Sequence, residues 1–294
     1  MPTETADPRF ADVERWPTHA AVEAMLEGQL AAIAALKGQT DGIAAAADAA
    51  AQRLRRGGRI VYVGAGTSGR LAVQDGVELV PTYNWPPERL VFLLAGGADA
   101  MTRSVEGAED DADQARAEIA AASVGPDDVL VSVAASGRTP YALAALVAAR
   151  DAGALTIAIA NNPDTPLLGA ADHAIVADTG SEIVAGSTRM KAGTAQKAAL
   201  NILSTAIMLR LGLVHRGLMV NMRASNEKLR IRARRMVATL ADTDEAHAAD
   251  ALARAGNDLR QAILVARGLD PADAADRLAR ADGDLGKAID GVDR

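Results

Sequence analysis

The chain has 294 residues, of which 49% are hydrophobic but only 2% aromatic, so its core must be built from Ala, Val, Leu and Ile. That composition is globular rather than disordered, and the absence of cysteine removes both a disulfide framework and a thiolate zinc site. A formal net charge of −7 argues against a nucleic-acid binder, which normally presents a basic face.

In chain order, nothing at Met1–Asp12 has the basic-then-apolar pattern of a secretory signal, which predicts a cytoplasmic protein. Residues His19–Arg56 place apolar side chains at helical spacing and stop at Gly57-Gly58, predicting two helices. The pattern then switches to short β-branched or leucine-rich runs at Arg59–Val63, Leu90–Leu94, Val129–Val133 and Leu155–Ile159, with a weaker one at His173–Ala177. Helical stretches separate most of them, so the expectation is βαβ units: an α/β fold with a mainly parallel sheet flanked by helices. The apolar stretch Thr194–Val214 is long enough for a bilayer but carries Lys197, Asn201 and Arg210, and reads as a buried helix, not a membrane span. After Ala224 the chain becomes charged and purely helical. There LARAGNDLRQAI (Leu252–Ile263) recurs as LARADGDLGKAI (Leu278–Ile289), too few copies for a solenoid. The predicted division is therefore an N-terminal helical arm (1–49), an α/β domain (50–218) and a small all-helical C-terminal module (219–294).

Three loops stand out. GAGTSG (Gly64–Gly69) follows the first strand with G-x-G-x-x-G spacing, but a dinucleotide site would need an acidic residue at the tip of the next strand, and that strand ends in Ala95-Gly96-Gly97. Thr67 and Ser68 instead offer hydroxyls where a compact phosphate monoester could use them, together with the N–H groups and dipole of the following helix. VSVAASGRTPYA (Val131–Ala142) repeats the strand, small residues, Ser-Gly-Arg and helix of Val61–Ala72, and AGSTRMKAG (Ala185–Gly193) has a similar character. Serine and threonine before a helix are ordinarily plain N-caps. Three such loops at one sheet edge, each followed by an arginine (Arg70, Arg138, Arg189), favour a sugar-phosphate pocket instead.

Metal chemistry finds no support: His19, His173, His215 and His247 are scattered without ligand spacing. Ser68 and Ser136 have no evident histidine base. Carboxylates remain. Glu106 and Glu109 lie in the acidic run SVEGAEDDAD, where most such groups are solvated, whereas Glu78 has apolar neighbours in Val77, Leu79 and Val80. That setting predicts partial desolvation and a carboxyl suited to general acid work.

GAGTSGRL (Gly64–Leu71), VEGAEDD (Val105–Asp111), ASGRTPY (Ala135–Tyr141), GSTRMKAGTAQK (Gly186–Lys197) and SNEKL (Ser225–Leu229) together resemble the N-acetylmuramic acid 6-phosphate etherases, bacterial enzymes on a sugar isomerase (SIS) fold. The related glucokinase regulatory protein shares the fold and some motifs but is much longer. The resemblance implies cleavage of the D-lactyl ether of N-acetylmuramate 6-phosphate to N-acetylglucosamine 6-phosphate and D-lactate, by elimination then hydration, during cell-wall recycling and without a cofactor. It also implies a homodimer with sites near the interface, for which the apolar helix Thr194–Val214 offers a surface. By motif, the two functional glutamates fall on Glu78, which protonates the leaving oxygen, and Glu109, which takes the C2 proton. The phosphate is expected at Gly66, Thr67, Ser68, Ser136 and Thr139, with Arg138, Ser187, Thr188 and Lys191 as further contacts, and Lys228 as another cation to consider. Where the family commonly reads Asp-Ala-Ser-Glu-Cys-Pro-Pro, this chain has Asp75–Pro81 with Val77 in place of the hydroxyl. The opening Thr3–Thr18 matches only loosely. A binding-only regulator or a sugar-phosphate isomerase are the alternatives.

Overall fold

A computed structural model describes residues 1–224 and 226–290; Ser225 of the SNEKL motif and the last four residues of the C-terminal module lie outside them. The chain forms two compact units, Met1–Gly76 with Glu88–Ala206, and Val77–Pro87 with the chain from Ile207 onward.

Two N-terminal helices, α1 (Thr18–Ala34) and α2 (Thr40–Arg55), lead into the first unit. Then β1 (Ile60–Gly64), α3 (Gly66–Tyr83), β2 (Leu90–Leu94), α4 (Ala112–Ala121), β3 (Val129–Ala134), α5 (Pro140–Asp151), β4 (Leu155–Ala160), α6 (Pro166–Ala170), β5 (His173–Val176) and α7 (Lys191–Arg210) follow in order. The five strands sit where the hydrophobic runs predict them, within a residue at each end. They form one all-parallel sheet in the order β2-β1-β3-β4-β5. Every residue of β1, β3 and β4 is buried, which is why these strands read as continuous apolar runs: helices cover both faces and no alternation survives.

On one face, Val61, Val63, Leu130 and Ala158 pack with Ala115 and Ile119 of α4 and with Tyr141, Ala145, Leu146 and Ala149 of α5. The small side chains let helix and sheet approach closely in a chain with few rings. On α2, Ile43, Ala46, Ala47, Ala50, Ala51 and Leu54 form the buried stripe that packs onto β3, β4 and β5. A polar tie crosses the other part of this unit. The hydroxyl of Tyr62 donates to Asp75 (2.8 Å), and Asn201 (2.6 Å) and Ser204 (3.1 Å) of α7 donate to the other oxygen of the same carboxylate. Burial raises the Asp75 pKa, outweighing the three donors that favour its charged form.

The apolar stretch Thr194–Val214 is helical only as far as Arg210, because Gly212 takes a left-handed φ of 76°. Leu200, Leu203, Ile207 and Met208 are buried along it, whereas Ile202 and Leu209 are exposed. Among the described residues no helix is long and apolar enough to cross a membrane.

The second unit is helical: α8 (Glu227–Ala241), α9 (Glu245–Arg254), α10 (Leu259–Ala266), α11 (Pro271–Arg280) and α12 (Leu285–Asp290). Its core joins Val237, Leu240, Leu252, Ile263, Leu264 and Leu285 among others. The repeated sequence now has a physical meaning. Each copy is a helix end, a left-handed turn (Gly256-Asn257; Asp282-Gly283), an aspartate capping the next helix, and that helix. Asp258 accepts from the Gln261 amide and Asp284 from the Lys287 amide, so the turn residues and the caps recur together. The segment Val77–Pro87 belongs here; Asn221 donates to the Tyr83 carbonyl (2.6 Å) and Trp85 is buried.

Candidate active site

In the order 2-1-3-4-5 the chain leaves β1 toward one side of the sheet and returns to the other at β3, so a crevice opens between the carboxyl ends of those two strands. Both GAGTSG and ASGRTP are the loops at that point. Gly64 at the end of β1 pairs with Leu94 on one side and Val133 on the other.

The glycines are required by contact and by backbone angle. A Cβ on Gly69 would meet the Leu94 side chain at 2.3 Å and the Gly64 carbonyl at 2.7 Å, so this glycine lets α3 start hard against β1. Gly137 has φ of 61°, and a Cβ there would fall 2.2 Å from the Thr165 hydroxyl. These constraints turn the first amides of α3 and α5 toward the crevice, where their positive ends favour an anion.

A cleft of about 470 Å³ occupies this position. Gly66, Thr67 and Ser68 form one wall, and Ser136, Arg138 and Thr139 form the other. Thr188, from the third loop, completes the ring of hydroxyls. Ser136 is pre-oriented: its Oγ accepts from the Arg138 amide (3.1 Å) and lies 3.4 Å from the Thr139 hydroxyl. Glu109 and Asp110 bring carboxylates to the same cleft, and Met1 and Glu4 of the N-terminus also line it. Among the described residues no group of three or more His, Cys, Asp or Glu is placed to hold a metal.

Three of the residues singled out from sequence stand elsewhere. Ser187 is not among the residues lining the cleft, though its neighbour Thr188 is. Lys191 donates to the Ser181 carbonyl (2.8 Å) and its stem packs against Gly28. Glu78 lies three turns along α3, in the part that belongs to the second unit, and is exposed. The predicted desolvation of Glu78 does not occur within the chain. Successive helical residues point about 100° apart, so Leu79 turns inward to 3% exposure while Val77 stays 51% exposed, and neither shields the carboxylate between them. Apolar neighbours in sequence are not apolar neighbours in space.

One supporting residue escapes sequence reasoning, and another has a role that the sequence does not show. Glu182 is buried and accepts from the amides of Lys191 and Ala192, both at 2.9 Å, so it caps α7 from nine residues upstream. Local spacing carries no sign of this, because a normal N-cap is adjacent to its helix. Arg70, expected from sequence to follow an anion loop, spends its guanidinium on the carbonyls of Ala100 and Arg103. It ties α3 to the stretch between β2 and α4 that carries Glu109.

Comparison with known proteins places this geometry. Residues 42–150 match the glucokinase regulatory protein N-terminal SIS domain and residues 108–206 match the SIS domain. The fold is similar to that of a phosphoheptose isomerase from Francisella tularensis, with TM-score 0.50 and 20% identity, covering 66% of this chain and 98% of that one. The N-acetylmuramic acid 6-phosphate etherase of Deinococcus radiodurans is 51% identical over 90% of this chain and 87% of its own length. That of Symbiobacterium thermophilum is 56% identical over 76% of this chain and 74% of its own. A hydroxyl-ringed cleft on a SIS-type sheet, in a chain with this much identity across most of its length, belongs to the N-acetylmuramic acid 6-phosphate etherase family.

Proposed function

We propose that the protein cleaves the D-lactyl ether at C3 of N-acetylmuramate 6-phosphate, giving N-acetylglucosamine 6-phosphate and D-lactate in cell-wall amino-sugar recycling. The observation that carries this reading is the juxtaposition of phosphate donors and a carboxylate in one cleft: Ser68, Ser136 and Thr139 with Glu109. The phosphate lies between the N-termini of α3 and α5, held by backbone amides and by the hydroxyls of Thr67, Ser68, Ser136, Thr139 and Thr188, with Arg138 at the rim. Local dipoles and hydroxyls hold it, which is how a chain of net charge −7 can bind an anion.

The open-chain aldehyde acidifies the C2 proton. Glu109 removes that proton, the C3–oxygen bond breaks, and the departing lactate oxygen takes a proton from a general acid; family resemblance gives that role to Glu78, which does not line this cleft within one chain. Water then adds across the C2–C3 double bond, its oxygen to C3 and a proton to C2. Elimination and hydration together consume one water and change no oxidation state, so the steps need no redox cofactor. General acid or base help of this kind contributes roughly 10²–10⁴-fold per group. A regulator that only bound the sugar phosphate would need no general acid or base.

The proposal extends to the assembly. Val22, Leu26, Leu30 and Ile33 form an exposed apolar stripe on α1, whose buried side contributes only Ala32. A second copy of the chain would cover it, giving a homodimer. Along the chain, residues 50–218 would be the sugar-phosphate domain, 1–49 its arm and 219–294 a supporting helical module, all in the cytoplasm.

The test is to incubate the purified protein with N-acetylmuramate 6-phosphate and measure D-lactate. Release by the wild type, and its loss by at least two orders of magnitude in Glu109→Gln, is expected. Sugar-phosphate binding with no lactate release would overturn the etherase reading in favour of a regulator.

A further inference from the structure

The first residues of the chain are built into the cleft. Thr3 is fully buried, in a segment otherwise exposed on either side. Its amide donates to Asn162 Oδ1 (3.4 Å), its hydroxyl accepts from Asn162 Nδ2 (3.0 Å), and its carbonyl accepts from the Gly186 amide (3.1 Å). Asn162, just beyond the end of β4, is itself buried and also donates to the Ala135 carbonyl (2.8 Å), one residue before Ser136. The N-terminal arm is thus bolted to the β3 loop on one side and to the loop bearing Thr188 on the other. A short helical turn, Pro2–Glu4, then sets the direction of the next side chain.

That side chain is Glu4. It lines the cleft with Ser68, Ser136, Thr188 and Glu109. One carboxylate oxygen lies 3.1 Å from where a Cβ would stand on Gly186, so the glycine of GSTRMK leaves room for it. Among the described residues the Glu4 carboxylate has no hydrogen-bond or ion-pair partner. A carboxylate held on a tethered arm, pointed into a polar cleft and unpaired, is an acceptor waiting for donors. Phosphate cannot supply them, since two anions repel. The hydroxyl groups and amide N–H of the sugar can.

We infer that Glu4 is a substrate-binding residue: the N-terminal arm delivers its carboxylate to accept hydrogen bonds from donor groups on the sugar part of the ligand. This rests on the etherase reading for the identity of the ligand. The arm thereby supplies recognition of the sugar at a site whose other loops grip phosphate.

The experiment measures two ligands on the full chain by isothermal titration: N-acetylglucosamine 6-phosphate and inorganic phosphate. Glu4→Ala should weaken the sugar phosphate about 10- to 100-fold, the range for a hydrogen bond to a charged group, and leave inorganic phosphate within about twofold. Thr3→Val, which keeps the shape but loses the Asn162 bond, should weaken the sugar phosphate in the same direction, and the double variant should be no worse than Glu4→Ala alone. Equal weakening of both ligands would mean a structural role and would overturn the inference. So would unchanged binding of both, or tighter binding of both, the last showing that Glu4 faces the phosphate. Failure of the wild type to release D-lactate would count against the etherase reading and leave these binding comparisons intact.

Discussion

The guanidinium of Arg70, in the first turns of α3, donates through Nε to the carbonyl of Ala100 at 2.8 Å, and a second donor reaches Arg103 at 2.9 Å. The helix that begins in the GAGTSG loop is therefore physically tied to the stretch leading to Glu109. Arg70→Lys removes the fork while keeping the charge. The expected outcome is a fall in kcat of about tenfold with KM changed less than threefold, because phosphate donors stay in place while the carboxylate loses its tether. Steady-state kinetics of D-lactate release checks it; a rise in KM at constant kcat would place Arg70 on the substrate instead.

Gly137 combines a left-handed φ with a close approach to Thr165. Gly137→Ala should displace the Ser136–Thr139 loop, raise KM about tenfold or more and lower stability by about 1–3 kcal/mol. A paired change of Thr165 to glycine would relieve the clash but not the φ, so it should restore only part of the affinity. Thermal melts with and without N-acetylglucosamine 6-phosphate separate the two effects.

Glu182 neutralises two otherwise unpaired amides at the start of α7 from a buried position. Glu182→Ala is expected to cost about 1–3 kcal/mol, since both amides lose their acceptor away from water. Urea denaturation at neutral pH measures this. An unchanged midpoint would mean that the helix end finds another partner.

Asp75 supplies a pH dependence with a defined sign. Burial raises its folded pKa above the unfolded value, so the folded state binds the proton more tightly. Its contribution to stability is fully present below the unfolded pKa and is lost as pH rises through the folded pKa. In Asp75→Asn this slope should disappear from the acidic limb of a stability–pH curve, flattening the difference between mildly acidic and neutral pH. Parallel curves for wild type and variant would refute the assignment.

The exposed stripe Val22, Leu26, Leu30 and Ile33 predicts that Leu26→Glu with Leu30→Glu shifts the mass measured by light scattering from dimer to monomer. A wild type that is monomeric at micromolar concentration would remove the proposed homodimer.

Much of the architecture was legible because its signals are local. Five short apolar runs separated by helical stretches became the five strands, and the Ser-Gly-Arg loops after the first and third reached the same crevice, since a parallel sheet puts all its strand ends on one edge. The capping aspartates of the C-terminal repeat could likewise be found by comparing two twelve-residue stretches.

Local pattern alone set the order of strands and helices along the chain, the likeness of the GAGTSG and ASGRTP loops, and the family. Tertiary structure decided which polar groups meet. Thr3 finds Asn162 across 159 positions and Asp75 finds Ser204 across 129. Arg70, noted only as the arginine after the first loop, became a brace, and Glu78 turned from a shielded carboxyl into an exposed one. The physical reason is the same in each case. Hydrophobic periodicity is set by the geometry of one element, whereas a side chain's partners and its burial depend on elements distant in the chain that only folding brings alongside.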